Sequence, residues 1–439
     1  ADVGKLRFKA YGKRSKISML TLKERDKKVN WHPYTQMKTA QDIIPIVKGK
    51  GTYLYDDNGK QYIDAVSSWW VTLHGHAHPY ITQKVSAQLN TLEQVIFAGF
   101  THKPAIELSE RLLQLLPSNQ QKVFYTDNGS TAIEVALKMC LQFDYNQGKS
   151  RNKILAFKNG YHGDTFGSMS VSGRGTWTEP FRGMLFDVIF IDVPTESNLN
   201  DVKNFIDSQE DICCFVYEPL VQGAGGMLMH KAEDLSELLT FCRSKKILLI
   251  QDEIFVGFGR TGKMFAADHL STTADVMCFS KGLTGGTMPL GVTTCTQEIY
   301  DAFYSNDKTK ALFHGHSFTA SPLACSAALA SMDLLLESQT QSNIARICDQ
   351  HAAFAKKLKD HPKVAKVRQQ GTIFAMEWKT NECTSYFSEI HDILYPFFLS
   401  KGILMRPLGN IIYLVPPYCI SETDLNYIYE TILEALVLI

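Results

Sequence analysis

Two kinds of apolar pattern alternate along the chain. Short continuous runs end in polar or glycine-rich turns: Val123-Phe124-Tyr125, Ile154-Leu155-Ala156-Phe157, Cys213-Cys214-Phe215-Val216-Tyr217, Leu248-Leu249-Ile250 and Val276-Met277-Cys278-Phe279. Between them lie stretches with helical spacing. Residues 104–116 carry Leu108, Leu112 and Leu115, and the stretch after Gly129 carries Ile133, Ala136, Leu137 and Cys140 at i, i+3, i+4, i+7. Residues 233–245 and a long region over 322–359 are also predicted helical. Strands alternating with helices predict an α/β fold, with a mostly parallel sheet covered on both faces. Ahead of it, alternating apolar residues flank Asn58-Gly59, the strongest short hairpin signal. The tail from about 364 mixes strands (364–367, 371–378, 411–415) with helices. There is no internal repeat.

Composition narrows the function. A chain of 439 residues can bury a large core, and suggests one large domain with a smaller one. Lys+Arg and Asp+Glu both number 45, so there is no basic excess for nucleic acid. No apolar run approaches the ~20 residues that span a bilayer. The ten cysteines form no Cys-x-x-Cys pair, and several sit in apolar runs. They read as buried thiols of a reducing cytosol. Residues 1–30 differ, with ten Lys/Arg against three Asp/Glu. Residues 1–18 read as a basic extension, and Met19 as a natural start.

Candidate chemistry gathers at the strand ends. One apolar run ends in Asp252 and the next in Lys281, with Gly282, Gly285 and Gly286 beyond. In an open α/β sheet, ligands bind at the carboxyl ends of strands, so the acid and the amine point into one crevice. That suits a pyridoxal phosphate enzyme, and equally a capping aspartate with a surface lysine. Gly129, Ser130 and Thr131 follow a strand and open a helix, an arrangement that receives an anion or simply caps the helix. Tyr161, at a strand end, either stacks on a flat cofactor or packs. His74, His76 and His78 lie in a loop without an acid or cysteine at ligand spacing, so no metal site is expected.

Gly129-Ser130, Tyr161-His162-Gly163, Asp252-Glu253 with Gly257-Phe258-Gly259-Arg260-Thr261-Gly262, and Ser280-Lys281-Gly282 together resemble the class III pyridoxal-phosphate-dependent aminotransferases, across about residues 30–435. The resemblance implies fold-type I: a large domain (70–330) around a mostly parallel seven-stranded sheet, and a smaller α+β domain from 19–69 and 331–439. It also implies pyridoxal 5′-phosphate as cofactor and a cytoplasmic homodimer with shared active sites. Lys281 would then bond covalently to the cofactor, and Asp252 would keep its pyridinium nitrogen protonated. Gly129 and Ser130 would hold the phosphate, Tyr161 would lie on the ring face, and His316 and Ser317 would reach the cofactor of the partner subunit.

Within the family, Trp31-His32-Pro33-Tyr34-Thr35, Ser68-Trp69-Trp70, Gln222-Gly223-Ala224-Gly225-Gly226 and Arg406-Pro407-Leu408-Gly409 resemble members that transfer the amino group of S-adenosyl-L-methionine to 8-amino-7-oxononanoate. The commoner ω-aminotransferases pair a glutamate with an arginine where this chain has Ala224 and Tyr413. Losing both together leaves no charge unpaired. The resemblance implies Arg406 as the carboxylate clamp and Tyr34, Trp69 and Tyr161 as apolar walls, with Gly315 also at the substrate and Tyr34 assisting catalysis. Gly315-His316-Ser317 resembles relatives that use L-lysine as donor, which makes lysine the alternative donor. A general ω-aminotransferase, an aminomutase of the same fold and a metal-dependent hydrolase are the other readings.

Overall fold

The buried strands form a seven-stranded sheet in the computed structural model, which describes residues 20–380 and 389–438. The extension 1–18, Met19 and Cys383 lie outside the described residues. In chain order the strands are β1 (Gln120–Thr126), β2 (Lys153–Phe157), β3 (Ile189–Ile191), β4 (Ile212–Tyr217), β5 (Leu248–Asp252), β6 (Val276–Phe279) and β7 (Gly291–Thr296). Their spatial order is β1-β7-β6-β5-β4-β2-β3. β7 runs antiparallel to β6 and β1, and the remaining pairs are parallel.

The continuous apolar runs follow from burial on both faces. Ile250, Val276 and Cys278 pack under the helix Gly129–Asn146, whose buried stripe includes Ile133, Ala136, Leu137 and Cys140. Leu249, Met277 and Phe279 face the other way, with Leu235, Leu238 and Leu239 of the helix Ala232–Ser244. Each such side chain contributes roughly 1.5–3 kcal/mol by leaving water.

The chain's two ends share one sheet. The hairpin strands Tyr53–Asp56 and Gln61–Asp64 flank Asn58-Gly59, where Gly59 takes φ 82°. Ile403–Leu404 then pairs parallel with Gln61–Asp64. A second sheet joins Val364–Gln370, Ile373–Trp378 and Ile411–Leu414. The helical region over 322–359 is two helices, Pro322–Leu336 and Ser338–Leu358, because Glu337 is extended (φ −64°, ψ 138°). Of the nine described cysteines, seven are buried, Cys348 is half-buried and Cys419 is exposed, all of them free. Among the described residues no helix is long and apolar enough to cross a membrane.

Glu253 fixes the turn behind β5. It is buried and accepts Ala266 N–H (3.0 Å), Ala267 N–H (2.8 Å) and Gln251 Nε2 (2.6 Å). Burial pushes its carboxyl from 4.5 up to about 7. Between those values the folded state binds more protons than the unfolded one, so this group's contribution to stability falls as pH rises through that window. Glu253→Gln is expected to be the less stable protein at every pH. Its disadvantage should shrink by at most about 3 kcal/mol between pH 4.5 and 7. Urea unfolding across that range measures it, and a constant gap would refute the assignment.

Candidate active site

Asp252 closes β5 and is buried, at 4% exposure. Its Oδ1 accepts Ile254 N–H (3.0 Å) and its Oδ2 pairs with His162 Nδ1 (2.7 Å). Burial disfavours a charge on His162, but the Asp252 carboxylate, and Glu218 further off, hold its imidazole above its ordinary pKa. The pair fixes the carboxylate in place.

Lys281 opens the turn after β6, the strand beside β5. Its φ of 44° is left-handed, a strained conformation for a lysine. Burial pushes its amine pKa down, against the opposing pull of Asp252 and Glu218. A depressed amine is neutral more of the time, hence nucleophilic. Its Nζ lies 5.1 Å from the Trp70 ring centre and 5.9 Å from that of Phe255. Among the described residues no ion pair joins it to Asp252.

The helix Gly129–Asn146 supplies an anion site. Asn128 caps it by accepting Thr131 N–H (3.0 Å) at Oδ1. The N–H groups of Gly129 and Ser130 then face past the positive helix end. Thr165 donates its N–H to Ser130 Oγ (3.1 Å), and the two hydroxyls pair at 2.8 Å. A Cβ on Gly163 would lie 2.3 Å from Ser130 Oγ, so this close approach requires glycine. Glu218 ties two turns together by accepting Tyr161 N–H (2.9 Å) and Gly223 N–H (3.0 Å). Burial pushes its carboxyl up to about 7. A buried acid, an amine whose pKa burial lowers and a helix N-terminus suit pyridoxal phosphate, which needs a partner for its ring nitrogen, its carbonyl and its phosphate.

The mouth is aromatic. Tyr34 donates its hydroxyl to Asp164 Oδ1 (2.7 Å) and lies 3.5 Å from the Tyr161 hydroxyl. Trp69 meets Tyr34 edge-on at 5.7 Å, and the Arg406 guanidinium sits 5.2 Å from the Trp69 ring centre. Arg406 Nη2 also donates to the Tyr34 carbonyl (3.4 Å). Trp70 turns inward, 5% exposed, and packs on Phe255 (4.5 Å) and Tyr413 (6.0 Å). The turn that separates the two tryptophans places Ser67, Ser68 and Trp70 at positive φ. Asp64, fully buried, holds it by accepting Ser68 N–H (2.7 Å), Ser68 Oγ (3.2 Å) and Val66 N–H (3.3 Å), and by pairing with His76 Nε2 (2.9 Å).

Lys281 lies beside Trp70, Asp252 pairs with His162, and Tyr34, Trp69, Tyr161 and Arg406 meet at the mouth. Gly315, His316 and Ser317 are tied elsewhere within the chain: His316 Nε2 lies 3.1 Å from His314 Nε2, Lys138 Nζ lies 3.1 Å from His314 Nδ1, and Gln94 Nε2 donates to the Ser317 carbonyl (2.8 Å). His74 pairs with Ser331 Oγ (3.0 Å). Sequence reasoning gave no role to His162, Glu218 or Asp164. His162 stood in the quoted Tyr161 turn with Asp164 one residue beyond it, and Glu218 directly follows β4, before Pro219, a position near the strand end like that of Asp252.

The family model for class III aminotransferases matches residues 34–436. The chain belongs to the class III aminotransferases. It is a pyridoxal-phosphate-dependent transaminase. This aminotransferase is 43% identical over 420 residues to the adenosylmethionine-8-amino-7-oxononanoate aminotransferase of Synechococcus elongatus, covering 92% of this chain and 98% of that one. The solved structure of the enzyme of the same name from Methanocaldococcus jannaschii matches with TM-score 0.91 at 35% identity, over 94% of this chain and 98% of that chain. An ω-transaminase from Pseudomonas jessenii, solved in complex with PMP, matches with TM-score 0.89 at 26% identity, over 95% and 98%.

The Asp64 network generates a prediction. Asp64→Ala leaves His76 and buried backbone N–H groups without their acceptor, and should cost about 3 kcal/mol or more in urea unfolding. Asp64→Asn keeps one acceptor oxygen and should cost less. A neutral Asp64→Ala would show that the turn holds itself.

Proposed function

We propose that this aminotransferase moves the amino group of S-adenosyl-L-methionine to 8-amino-7-oxononanoate, giving 7,8-diaminononanoate, in two half-reactions at one site. The observation that carries this reading is Arg406 over Trp69, beside Tyr34. It is an arginine at an aromatic mouth, while Ala224 and Tyr413 bring no charge. An arginine there can grip a carboxylate with two parallel hydrogen bonds. The aromatic walls suit a long aliphatic chain behind that carboxylate. The names of relatives at 43% and 35% identity agree with it.

Pyridoxal phosphate, when bound, supplies an electron sink for the carbon that loses its proton. Asp252, oriented by His162, would keep the ring nitrogen protonated, Gly129 and Ser130 would hold the phosphate, and Tyr161, steadied by Glu218, would lie on the ring face. Lys281 would bear the covalent attachment, and its Nζ, when free, would take a proton from the donor's α-carbon and, in the second half, give one to the acceptor's carbon. Tyr34, hydrogen-bonded to Asp164, lines the path and excludes water.

The reading extends to assembly. The chain acts as a cytoplasmic homodimer in which the loop with Gly315, His316 and Ser317 serves the partner subunit's cofactor. The exposed Phe313 and Phe318 beside that loop support this. Residues 70–330 hold the cofactor, and 19–69 with 331–439 close over it. The second reading, L-lysine as donor, is favoured by Gly315-His316-Ser317 alone.

Two substitutions test the roles. Borohydride treatment of the wild type should fix the cofactor on the peptide bearing Lys281, as read by mass spectrometry, and Lys281→Ala should show no fixed cofactor. Attachment at another lysine sinks the assignment. Arg406→Ala should spare the donor half-reaction and raise the KM for the keto acid about ten-fold or more, the loss of a charge-assisted hydrogen bond of about 1.5–3 kcal/mol. Equal damage to both halves would refute the clamp. A half-reaction driven by lysine and not by adenosylmethionine would replace the donor.

A further inference from the structure

Tyr34 has a second aromatic neighbour that no role above uses. Trp177 meets it edge-on at 6.0 Å, as Trp69 does at 5.7 Å. The three rings are similarly exposed: 41% for Tyr34, 43% for Trp69 and 42% for Trp177. Trp70 and Tyr413 nearby are buried, so the mouth has both inward-turned and exposed rings.

Trp177 comes from a different part of the chain than Trp69 or Arg406, and its loop is pinned on both sides. Arg174 donates Nη1 to the carbonyls of Met169 (3.0 Å) and Ser172 (3.3 Å), and Nη2 to that of Phe186 (3.3 Å). Thr178, next to Trp177, is buried, and its hydroxyl accepts Gly175 N–H and donates to the Gly175 carbonyl, both at 3.0 Å. A ring held at an opening by fixed flanks is ready to bind without first being ordered.

We propose that Trp177 is a specificity-determining residue for the amino donor, receiving a flat heteroaromatic base outside the reacting amine. This rests on adenosylmethionine being the donor. The chemistry separates the two substrates. The keto acid offers a flexible chain and a carboxylate, which Arg406 beside Trp69 meets. Adenosylmethionine also carries a purine and a sulfonium. An indole face is the best side-chain partner for a cation and stacks well on a base. Lysine has no flat group to place there. Trp177 thereby discriminates between donors while the chemistry stays with Lys281.

The test uses the holoenzyme, with Trp177→Ala and Trp177→Phe. Each half-reaction is followed by the change in cofactor absorbance. Trp177→Ala should raise the half-saturating adenosylmethionine concentration about ten-fold or more, the scale of one lost base–aromatic stack. The limiting rate should stay within about two-fold, the keto-acid half-reaction should be unchanged, and Trp177→Phe should recover most of the loss. Methylthioadenosine, which has the purine but not the reacting α-amino group, should bind the wild type and lose a similar factor in Trp177→Ala, in a titration independent of turnover. Equal losses in both half-reactions, or unaltered adenosylmethionine and methylthioadenosine binding, overturns the proposal while the donor assignment stands. A wild type that reacts with lysine and not with adenosylmethionine overturns both. Trp177→Phe that fails to recover donor binding while keeping its bound cofactor also overturns it.

Discussion

A buried carboxylate and a half-buried lysine stand at the ends of neighbouring parallel strands without pairing with each other. Everything else at the site accommodates that opposition. An ion pair between Asp252 and Lys281 would satisfy both groups and leave neither for chemistry. The carboxylate is held back by His162 and the Ile254 N–H, and the amine lies against the rings of Trp70 and Phe255. Burial then weakens the lysine's charge, and the strained backbone at φ 44° keeps it at the strand end. The sheet makes this separation durable, because both groups follow strands packed on two faces.

The surrounding residues add a gradient of polarity around that pair. Behind it lie acids whose charge burial opposes, Glu218 and Glu253, each tied to two backbone N–H groups. In front lies an aromatic mouth with one guanidinium at its edge. The strand ends and the mouth are built from different parts of the chain, so under the proposed roles the substrate can change without disturbing the reacting groups.

What could be read from the chain depended on the range of the interaction. β5 and β6 were legible because continuous apolar runs ending in polar residues reflect burial on both faces. The hairpin at Asn58-Gly59 was legible because its turn is encoded by two adjacent residues. The break at Glu337 was missed, since it falls in a run with no proline or glycine to mark it. Resemblance alone put Trp69 rather than Trp70 at the mouth; no local pattern distinguishes the two. That choice depends on positive φ values at Ser67, Ser68 and Trp70, enforced by Asp64. Glu218 and Asp164 were missed for a similar reason: their partners, Tyr161 and Tyr34, come from distant segments.

The pairing of Ile403–Leu404 with Gln61–Asp64 has a consequence in time. Leu404 stands opposite Asp64, so the tryptophan turn that follows Asp64 and the guanidinium of Arg406 are brought together by one short pair of strands. During synthesis every strand of the central sheet, with Asp252 and Lys281, emerges more than a hundred residues before that partner. A nascent chain can thus contain Asp252 and Lys281 long before it has a mouth, and the aromatic mouth with its guanidinium is assembled last.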